Sequence, residues 1–162
     1  TGEVLGMADS FGMAYFKAQE ATQSTLPGKG TVLITVIDSE KPAILKTARE
    51  FQNLGFKIKA TAGTHQFLAK NKIKSEPILK MHEGRPNIVD AIKNGEIQLI
   101  INTPAGKLSK YDDSYVRKAA IRYKIPYITT TAAAAAAVKG IAACKSEPST
   151  VKPLQEYHAS IK

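Results

Sequence analysis

A turn of small and hydroxyl-bearing residues, Ala60-Thr61-Ala62-Gly63-Thr64, offers the clearest chemistry in this sequence. It follows Gly55-Phe56-Lys57-Ile58-Lys59, whose alternation of apolar residues with Lys predicts a strand, and a helix is predicted to begin at about Thr64. A strand that ends in a Gly/Thr turn at a helix N-terminus directs free backbone N–H groups, two hydroxyls and the positive end of a helix dipole to one point. The sequence therefore predicts a phosphate-binding turn.

Two later segments are predicted to be loops that close over the same site. They are Lys80-Met81-His82-Glu83-Gly84-Arg85-Pro86 and Ile101-Asn102-Thr103-Pro104-Ala105-Gly106. His82 and Glu83 suggest a metal or catalytic role, but a metal site needs three or four converging ligands. The other two histidines, His65 and His158, show no ligand spacing with His82. We therefore expect no metal site, and we expect His82 to shape its loop.

Composition and charge limit the class of protein. The 162 residues are 43% apolar and 23% charged, as in one soluble globular domain, and the net charge of +9 favours anionic partners. The lysines are spread along the chain without a basic cluster and Trp is absent, which disfavours a dedicated nucleic-acid binder. No apolar stretch is long enough to span a membrane and no signal-peptide pattern is present, so we expect a cytoplasmic protein. A single cysteine, Cys144, fits that compartment, and a start at Thr-Gly-Glu-Val without Met suggests a domain excised from a longer polypeptide.

The secondary-structure pattern alternates between strand and helix. Predicted strands are Thr31 to Ile37, the segment after Gly55, Ile97 to Asn102 and Pro126 to Thr129, with a short extended piece from Pro77 to Lys80. Predicted helices are Asp9 to Thr22, Pro42 to Asn53, Thr64 to Lys72, Asn87 to Gly95 and Leu154 to Ile161. Two more helices are predicted between the last two of these: one is capped by Asp112 or Asp113 and ends at Lys124, and the other begins at about Thr130. This alternation predicts a parallel sheet with helices on both faces. Six consecutive alanines, 132 to 137, are predicted to form a helix packed tightly on that sheet.

These motifs resemble the C-terminal regulatory domain of the carbamoyl-phosphate synthetase large chain, which has the methylglyoxal-synthase-like fold. The resemblance is carried by Thr35-Val36 with Lys41, Ala60 to Thr64, Lys80 to Pro86, Asn94-Gly95-Glu96 and Ile100-Ile101-Asn102-Thr103. The start, Thr1-Gly2-Glu3-Val4-Leu5-Gly6, resembles the junction that follows the second ATP-grasp half. The resemblance implies an α/β three-layer sandwich with a five-stranded parallel sheet, and an effector site above the carboxyl ends of its strands. It divides the chain into an N-terminal helix and linker (1–30), the effector-binding domain (31–145) and a C-terminal tail with a short helix (146–162).

The resemblance also implies a set of site residues. The family's nucleotide-monophosphate site maps onto Thr35, Lys41, Thr61, Thr64, Lys80 and Asn102, with Thr103 beside them. In this mapping the threonines bind phosphate oxygens, the lysines supply charge, and Asn102 offers a donor and an acceptor to a ribose or base edge. Pro104 stands where family members often carry a third hydroxyl residue. The family's ornithine pocket maps a threonine onto Thr129.

The function that the resemblance implies is non-catalytic regulation within a glutamine-dependent, ATP-using ligase. The effector would be UMP as inhibitor, IMP as activator, or both, controlling carbamoyl phosphate synthesis for the pyrimidine and arginine pathways. Implied partners are the ATP-grasp domains of the same large chain and the small glutaminase subunit, and a contact with a second large chain is compatible with the resemblance. The animal urea-cycle branch binds N-acetylglutamate with a Trp that this chain lacks, and Lys80 favours a ligand that carries phosphate.

An enzyme of the methylglyoxal synthase type is the alternative, because it would bind a triose phosphate in the same turn. That reaction needs a carboxylate base beside the phosphate. The family's enzymes carry His-Asp after the first strand and Gly-Asp in the third loop, where this chain has Ile37-Asp38-Ser39 and Glu83-Gly84-Arg85. The acidic residues are displaced and Arg85 is predicted to lie where the base would be, so we expect no catalysis by this domain. A third hypothesis, the cyclohydrolase domain of purine synthesis, shares the first-strand Lys but requires further motifs that are absent.

Overall fold

The computed structural model describes residues 3–103, 110–147, 150–159 and 161, and these form an α/β fold. The strands are β1 (Thr31–Thr35), β2 (Lys57–Ala60), β3 (Glu76–Pro77), β4 (Leu99–Asn102) and β5 (Tyr127–Ile128). The helices are α1 (Phe11–Ala21), α2 (Lys41–Asn53), α3 (Ala62–Lys70), α4 (Ile88–Lys93), α5 (Lys110–Arg122), α6 (Thr131–Ser146) and α7 (Leu154–Ala159). Within the described residues, every helix is too short or too polar to cross a bilayer.

The strands form one parallel sheet in the order β3-β2-β1-β4-β5, which confirms the predicted five-stranded sheet. β1 lies at the centre of the sheet, and its residues Thr31 to Ile34 are buried, as expected for a strand that is covered on both faces. Thr35, the last residue of β1, is in register with Asn102, the last residue of β4. The carboxyl ends of the central strands therefore meet at one edge of the sheet, where open α/β sheets bind their ligands.

Alternate residues of the sheet pack against different helix layers. Val32 and Ile34 belong to a core that includes residues of α1, α2, α3 and α6. Leu33 and Ile100 point to the opposite face, where they pack with residues of α4 and α5. This alternation follows from the two-residue period of a strand. The predicted three-layer sandwich is confirmed.

The helix with the alanine run is packed, as predicted. Ala134 and Ala137 are fully buried, and α6 lies against both α1 and α2. Its approach to α1 is so close that a β-carbon at Gly12 would lie 2.7 Å from the carbonyl oxygen of Lys139. A β-carbon at Gly140 would lie 3.2 Å from the carbonyl oxygen of Gly12. Glycine at these two positions is therefore what allows the backbones to meet.

Several predicted boundaries were wrong, and β1 ends at Thr35 instead of Ile37. α3 begins at Ala62, two residues earlier than expected, because Thr61 has the extended conformation of a helix N-cap and the small residues after it are already helical. α5 begins at Lys110, so Asp112 and Asp113 lie in its first turn and do not cap it. The predicted extended piece from Pro77 to Lys80 overlaps β3 only at Pro77; after it, Ile78 N donates to Ala60 O at 3.0 Å and Leu79 forms an isolated bridge with Asn87.

Candidate functional site

The N-terminus of α3 lies at the carboxyl edge of the sheet without a side-chain cap. Thr61 occupies the N-cap position, but its hydroxyl makes no capping bond and instead donates to Thr35 Oγ1 at 3.1 Å. The first helical bond runs from His65 N to Thr61 O, at 2.8 Å. The N–H groups of the preceding residues of the turn have no partner within the helix, as at any helix N-terminus. Their orientation and the helix dipole make this end attractive to an anion.

Two buried threonines fix the backbone that follows β1. Val36 N donates to Thr64 Oγ1 at 3.3 Å, and Ile37 N donates to Thr103 Oγ1 at 3.0 Å. Thr64 is 1% exposed and Thr103 is 5% exposed, so both hydroxyls are almost fully shielded. In this structure they hold the loop in place, whereas Thr35 and Thr61 form a hydroxyl pair at the strand ends.

Lys41 brings positive charge to the same turn. A β-carbon added to Gly63 would lie only 3.3 Å from Lys41 Nζ, so the ammonium contacts the first turn of α3. Asp38 forms an ion pair with Lys41 at 2.7 Å, and this hydrogen bond lowers the pKa of the Asp38 carboxyl from its ordinary value. The Lys41 side chain is 16% exposed whereas that of Asp38 is 94% exposed, so the cation is the more enclosed partner. An anionic ligand can therefore replace a well-hydrated carboxylate beside Lys41.

These groups line one cleft of about 790 Å³ at the carboxyl edge of the sheet, which we call the carboxyl-end cleft. A volume of this size suits a nucleotide-sized ligand. The whole predicted set of phosphate and nucleotide contacts lines it, namely Thr35, Lys41, Thr61, Thr64, Lys80, Asn102 and Thr103. Further lining residues are Val36, Ile37, Asp38, Ala62, Gly63, Met81, His82, Glu83, Ile88, Asp112, Asp113 and Val116.

The wall of the carboxyl-end cleft formed by α5 is acidic. Asn102 Nδ2 donates to Asp113 Oδ1 at 3.0 Å and to Tyr127 Oη at 2.6 Å. His82 Nδ1 lies 2.5 Å from Asp112 Oδ2, which joins the loop after β3 to α5. The cleft therefore has a cationic end at α3 and an acceptor-rich end at α5. Such polarity suits a ligand with an anionic group at one end and hydrogen-bond donors at the other.

Comparisons with known proteins show the family of this chain. The family model of the MGS-like domain matches residues 43–129, which is more than half of the chain. The chain belongs to the MGS-like domain family. Among similar curated proteins, the carbamoyl phosphate synthase large chain of Archaeoglobus fulgidus is 50% identical over 159 residues, which are 98% of this chain and 15% of that protein.

Shorter relatives cover the same region. Two proteins, from Aquifex aeolicus and Methanopyrus kandleri, carry the name carbamoyl phosphate synthase large chain, C-terminal section. Their sequences are 47% and 49% identical to this chain, respectively. Each alignment covers 98% of this chain, but only 30% and 29% of those proteins. This MGS-like chain thus spans less than a third of the length of these relatives. The resemblance seen in the sequence is confirmed.

Some predicted features lie elsewhere in this MGS-like domain. Arg85 does not line the carboxyl-end cleft, since its guanidinium forms an ion pair with Asp90 on α4. Arg85 was predicted to lie where a catalytic base would be; in this structure it pairs with Asp90 on α4. Thr129 is half-buried after β5 and is not among the described residues that line the cleft. Pro104, with the rest of segment 104–109, and the initial Thr1-Gly2 lie outside the described residues.

The acidic wall was not predicted from the sequence. Asp112 and Asp113 were expected to cap a helix, and Tyr127 was expected only as part of a strand. Asn102 was predicted to offer both a donor and an acceptor, but its two N–H groups are taken by Asp113 and Tyr127. A signal was present in the sequence, because an Asp-Asp pair that follows a strand-end Asn by about ten residues falls within the next loop or helix start of an α/β fold.

Proposed function

We propose that this MGS-like domain is the allosteric regulatory domain of a carbamoyl-phosphate synthetase large chain. Its carboxyl-end cleft binds a nucleoside monophosphate, UMP as inhibitor, IMP as activator, or both. The bound nucleotide controls the synthesis of carbamoyl phosphate for the pyrimidine and arginine pathways. The domain itself carries out no reaction and acts on catalytic domains elsewhere in the assembly.

The observation that carries this proposal is the position of Lys41 against the uncapped N-terminus of α3. A lysine ammonium and a helix N-terminus both attract negative charge, and here they converge on one point. Lys80 lines the same cleft, so a second cation is within the site. A dianionic phosphate monoester is the ligand group that such an arrangement favours most.

The rest of the cleft supports a ligand larger than phosphate. Its acceptor-rich end lies on α5, and apolar residues Ile88 and Val116 line it as well. A ribose hydroxyl or a base N–H can donate to the acceptors, and a flat base can pack on the apolar side chains. A nucleoside monophosphate combines these features in one molecule.

The names and lengths of the relatives support a proposal about partners. The similar proteins are called carbamoyl phosphate synthase large chains, and this chain matches 15% of the one from Archaeoglobus fulgidus. We propose that the ATP-grasp domains of the same large chain are its direct partners, and that the small glutaminase subunit and a second large chain belong to the complex.

A methylglyoxal synthase activity remains the alternative function, because the carboxyl-end cleft contains carboxylates. Those of Asp38, Glu83 and Asp112 are engaged in this structure with Lys41 Nζ, Lys80 N and His82 Nδ1, respectively. A general base must have a free lone pair directed at the substrate proton. The pairing of these carboxylates with protein donors favours ligand binding over proton abstraction.

Calorimetric titration of the purified chain tests the proposal. UMP, IMP, N-acetylglutamate, dihydroxyacetone phosphate and inorganic phosphate would be titrated under the same conditions. We expect UMP or IMP to bind at least tenfold more tightly than inorganic phosphate. Equal affinities for nucleotide and inorganic phosphate, or tighter binding of N-acetylglutamate or dihydroxyacetone phosphate, would contradict the proposed effector.

A further inference from the structure

The side-chain amide of Asn102 is held from two sides. Asn102 is 4% exposed at the end of β4, and its Nδ2 donates to Asp113 Oδ1 on α5 and to Tyr127 Oη on β5. An Asn amide nitrogen has two N–H groups, so these two bonds use its whole donor capacity. What Asn102 can still offer to a ligand is its carbonyl oxygen, which is an acceptor.

Asp113 determines the orientation of the Asn102 side-chain amide. An ionised carboxylate has only acceptor oxygens, so it must face the NH2 group of Asn102 and not the oxygen. If the amide turned over, two acceptors would meet in a shielded place, and that arrangement costs about as much as a lost hydrogen bond to a charged group. The carboxylate therefore sets the orientation of the amide.

Tyr127 holds the Asn102 amide in this orientation by accepting its second N–H group. Its backbone is fixed by the parallel pairing of β5 with β4, in which Tyr127 is in register with Ile100. Its ring lies beneath the guanidinium of Arg117, which is 5.5 Å from the ring centroid. The hydroxyl oxygen is thus a fixed acceptor for the second N–H group of Asn102.

We propose that Tyr127 is a positioning residue that, with Asp113, makes Asn102 an acceptor-only contact in the carboxyl-end cleft. The inference rests on the proposed function and deepens it, since it concerns which ligands the same cleft accepts. The cleft then selects a phosphate ester that presents an O–H or N–H donor at its α5 end. A ligand with an acceptor there leaves Asn102 unpaired and is rejected.

Two variants test this inference, with a matched control. Tyr127→Phe removes the hydroxyl but keeps the ring under Arg117, and Asp113→Asn allows the Asn102 amide to turn over. Tyr123→Phe is the control, because Tyr123 is exposed and does not line the carboxyl-end cleft. Each variant would be checked for folding by its amide spectrum before any ligand is added.

The first readout needs no nucleotide. The side-chain amide protons of Asn102, observed by 15N-correlated NMR, are expected to exchange slowly in the starting chain and in Tyr123→Phe. In Tyr127→Phe we expect exchange of at least one of them to become tenfold faster. An unchanged Asn102 signal in Tyr127→Phe would overturn the positioning role, whatever the cleft binds.

The second readout is selectivity among phosphate esters. UMP would be compared with CMP, which has an acceptor at N3 where UMP has a donor, and with the 2′-deoxy and 3′-deoxy forms of UMP. We expect at least one of these three analogues to bind the starting chain at least fivefold more weakly than UMP does. This ratio of dissociation constants should shrink at least twofold in Tyr127→Phe and in Asp113→Asn. Inorganic phosphate should bind all variants alike. If no analogue binds more weakly than UMP, or if the ratio is the same in the variants, the inference fails. If nucleotides bind no better than inorganic phosphate, the proposed function fails, and the NMR result alone decides the positioning role.

Discussion

The ammonium of Lys41 contacts the helix turn that contains Gly63, where a β-carbon would lie 3.3 Å from Lys41 Nζ. The lysine comes from the start of α2 and the glycine from the first turn of α3. Their contact places the Lys41 ammonium beside the N–H groups of the first turn of α3. An alanine here, although a better helix former than glycine, would require the Lys41 ammonium to move by a few tenths of an ångström.

Gly63→Ala is expected to affect stability and ligand binding in opposite directions. Alanine costs less backbone entropy than glycine, so the free energy of unfolding should stay equal or rise, by at most roughly 0.4–1 kcal/mol. The added methyl group displaces Lys41 Nζ and narrows the carboxyl-end cleft at the N-terminus of α3. UMP and phosphate should therefore bind at least fivefold more weakly. Urea unfolding and calorimetry measure the two effects. Gly28→Ala, which has open space around its β-carbon, is the control and should leave ligand affinity unchanged.

Thr61→Ala combined with Lys80→Ala is expected to weaken nucleotide binding at least tenfold. A hydrogen bond from a neutral hydroxyl is worth about 1 kcal/mol and a charged contact more, whereas a tenfold loss needs about 1.4 kcal/mol. The measurement is the calorimetric dissociation constant of UMP or IMP. Thr25→Ala with Lys74→Ala, both exposed and outside the carboxyl-end cleft, is the matched control. An unchanged affinity in the first pair would remove these residues from the site.

Acid should weaken the fold through Asp90. The hydrogen bond from Arg85, with a further one from Asn87 N, lowers the pKa of Asp90 from 3.8 to about 2. Because the folded pKa is lower than the unfolded one, this stabilisation is present above the ordinary carboxyl pKa and is lost as pH falls from about 4 to 2.

In Arg85→Met the pKa of Asp90 should rise, and the pH-dependent loss of stability should begin at higher pH. Carboxyl NMR titration and urea unfolding between pH 5 and 2 check this expectation. A titration of Asp90 that does not move in Arg85→Met would show that Arg85 is not the cause.

The purified chain is expected to form no methylglyoxal from dihydroxyacetone phosphate. A base must come within roughly 3 Å of the proton that it removes, or act through one water. Glu83 accepts a hydrogen bond from Lys80 N at 2.8 Å, and Asp112 pairs with His82. Product above the non-enzymatic background that disappears in Glu83→Gln or in Asp112→Asn would establish the enzymatic alternative.

Thr129 is expected to act outside the carboxyl-end cleft. In a synthetase that carries this domain, as proposed above, Thr129→Ala should reduce activation by ornithine while leaving the affinity for UMP or IMP within a factor of two, since Thr129 is not among the described residues that line the cleft. Activity assays with and without ornithine give the result. Full ornithine activation in this variant would exclude Thr129 from that pocket.

The fold and the cationic end of the cleft could be predicted because their signals are local. The continuous apolar run of β1 and the Gly/Thr turn before α3 each determine their own conformation within about ten residues. Parallel topology then requires the strand ends to meet, and Thr35, Thr61 and Asn102 accordingly line one cleft.

The acceptor-rich end was not predictable in the same way. Tyr127 Oη reaches Asn102 from β5, a strand of two residues whose register with β4 no local pattern fixes. Asp113 reaches it because α5 starts at Lys110, and helix ends are the least certain part of any sequence-based assignment. A donor that is already engaged cannot be recognised from residue type alone.

The carboxyl-end cleft exists only when β1, β2 and β4 are paired, because its residues follow different strands. A ligand in the cleft consequently stabilises the whole sheet, and at a concentration of 100 times its dissociation constant it adds about 2.7 kcal/mol to the free energy of unfolding. The population of unfolded chain would fall roughly 100-fold, and cleavage by proteases follows that population. The lifetime of the chain against proteolysis should therefore rise and fall with the concentration of the ligand that the cleft binds.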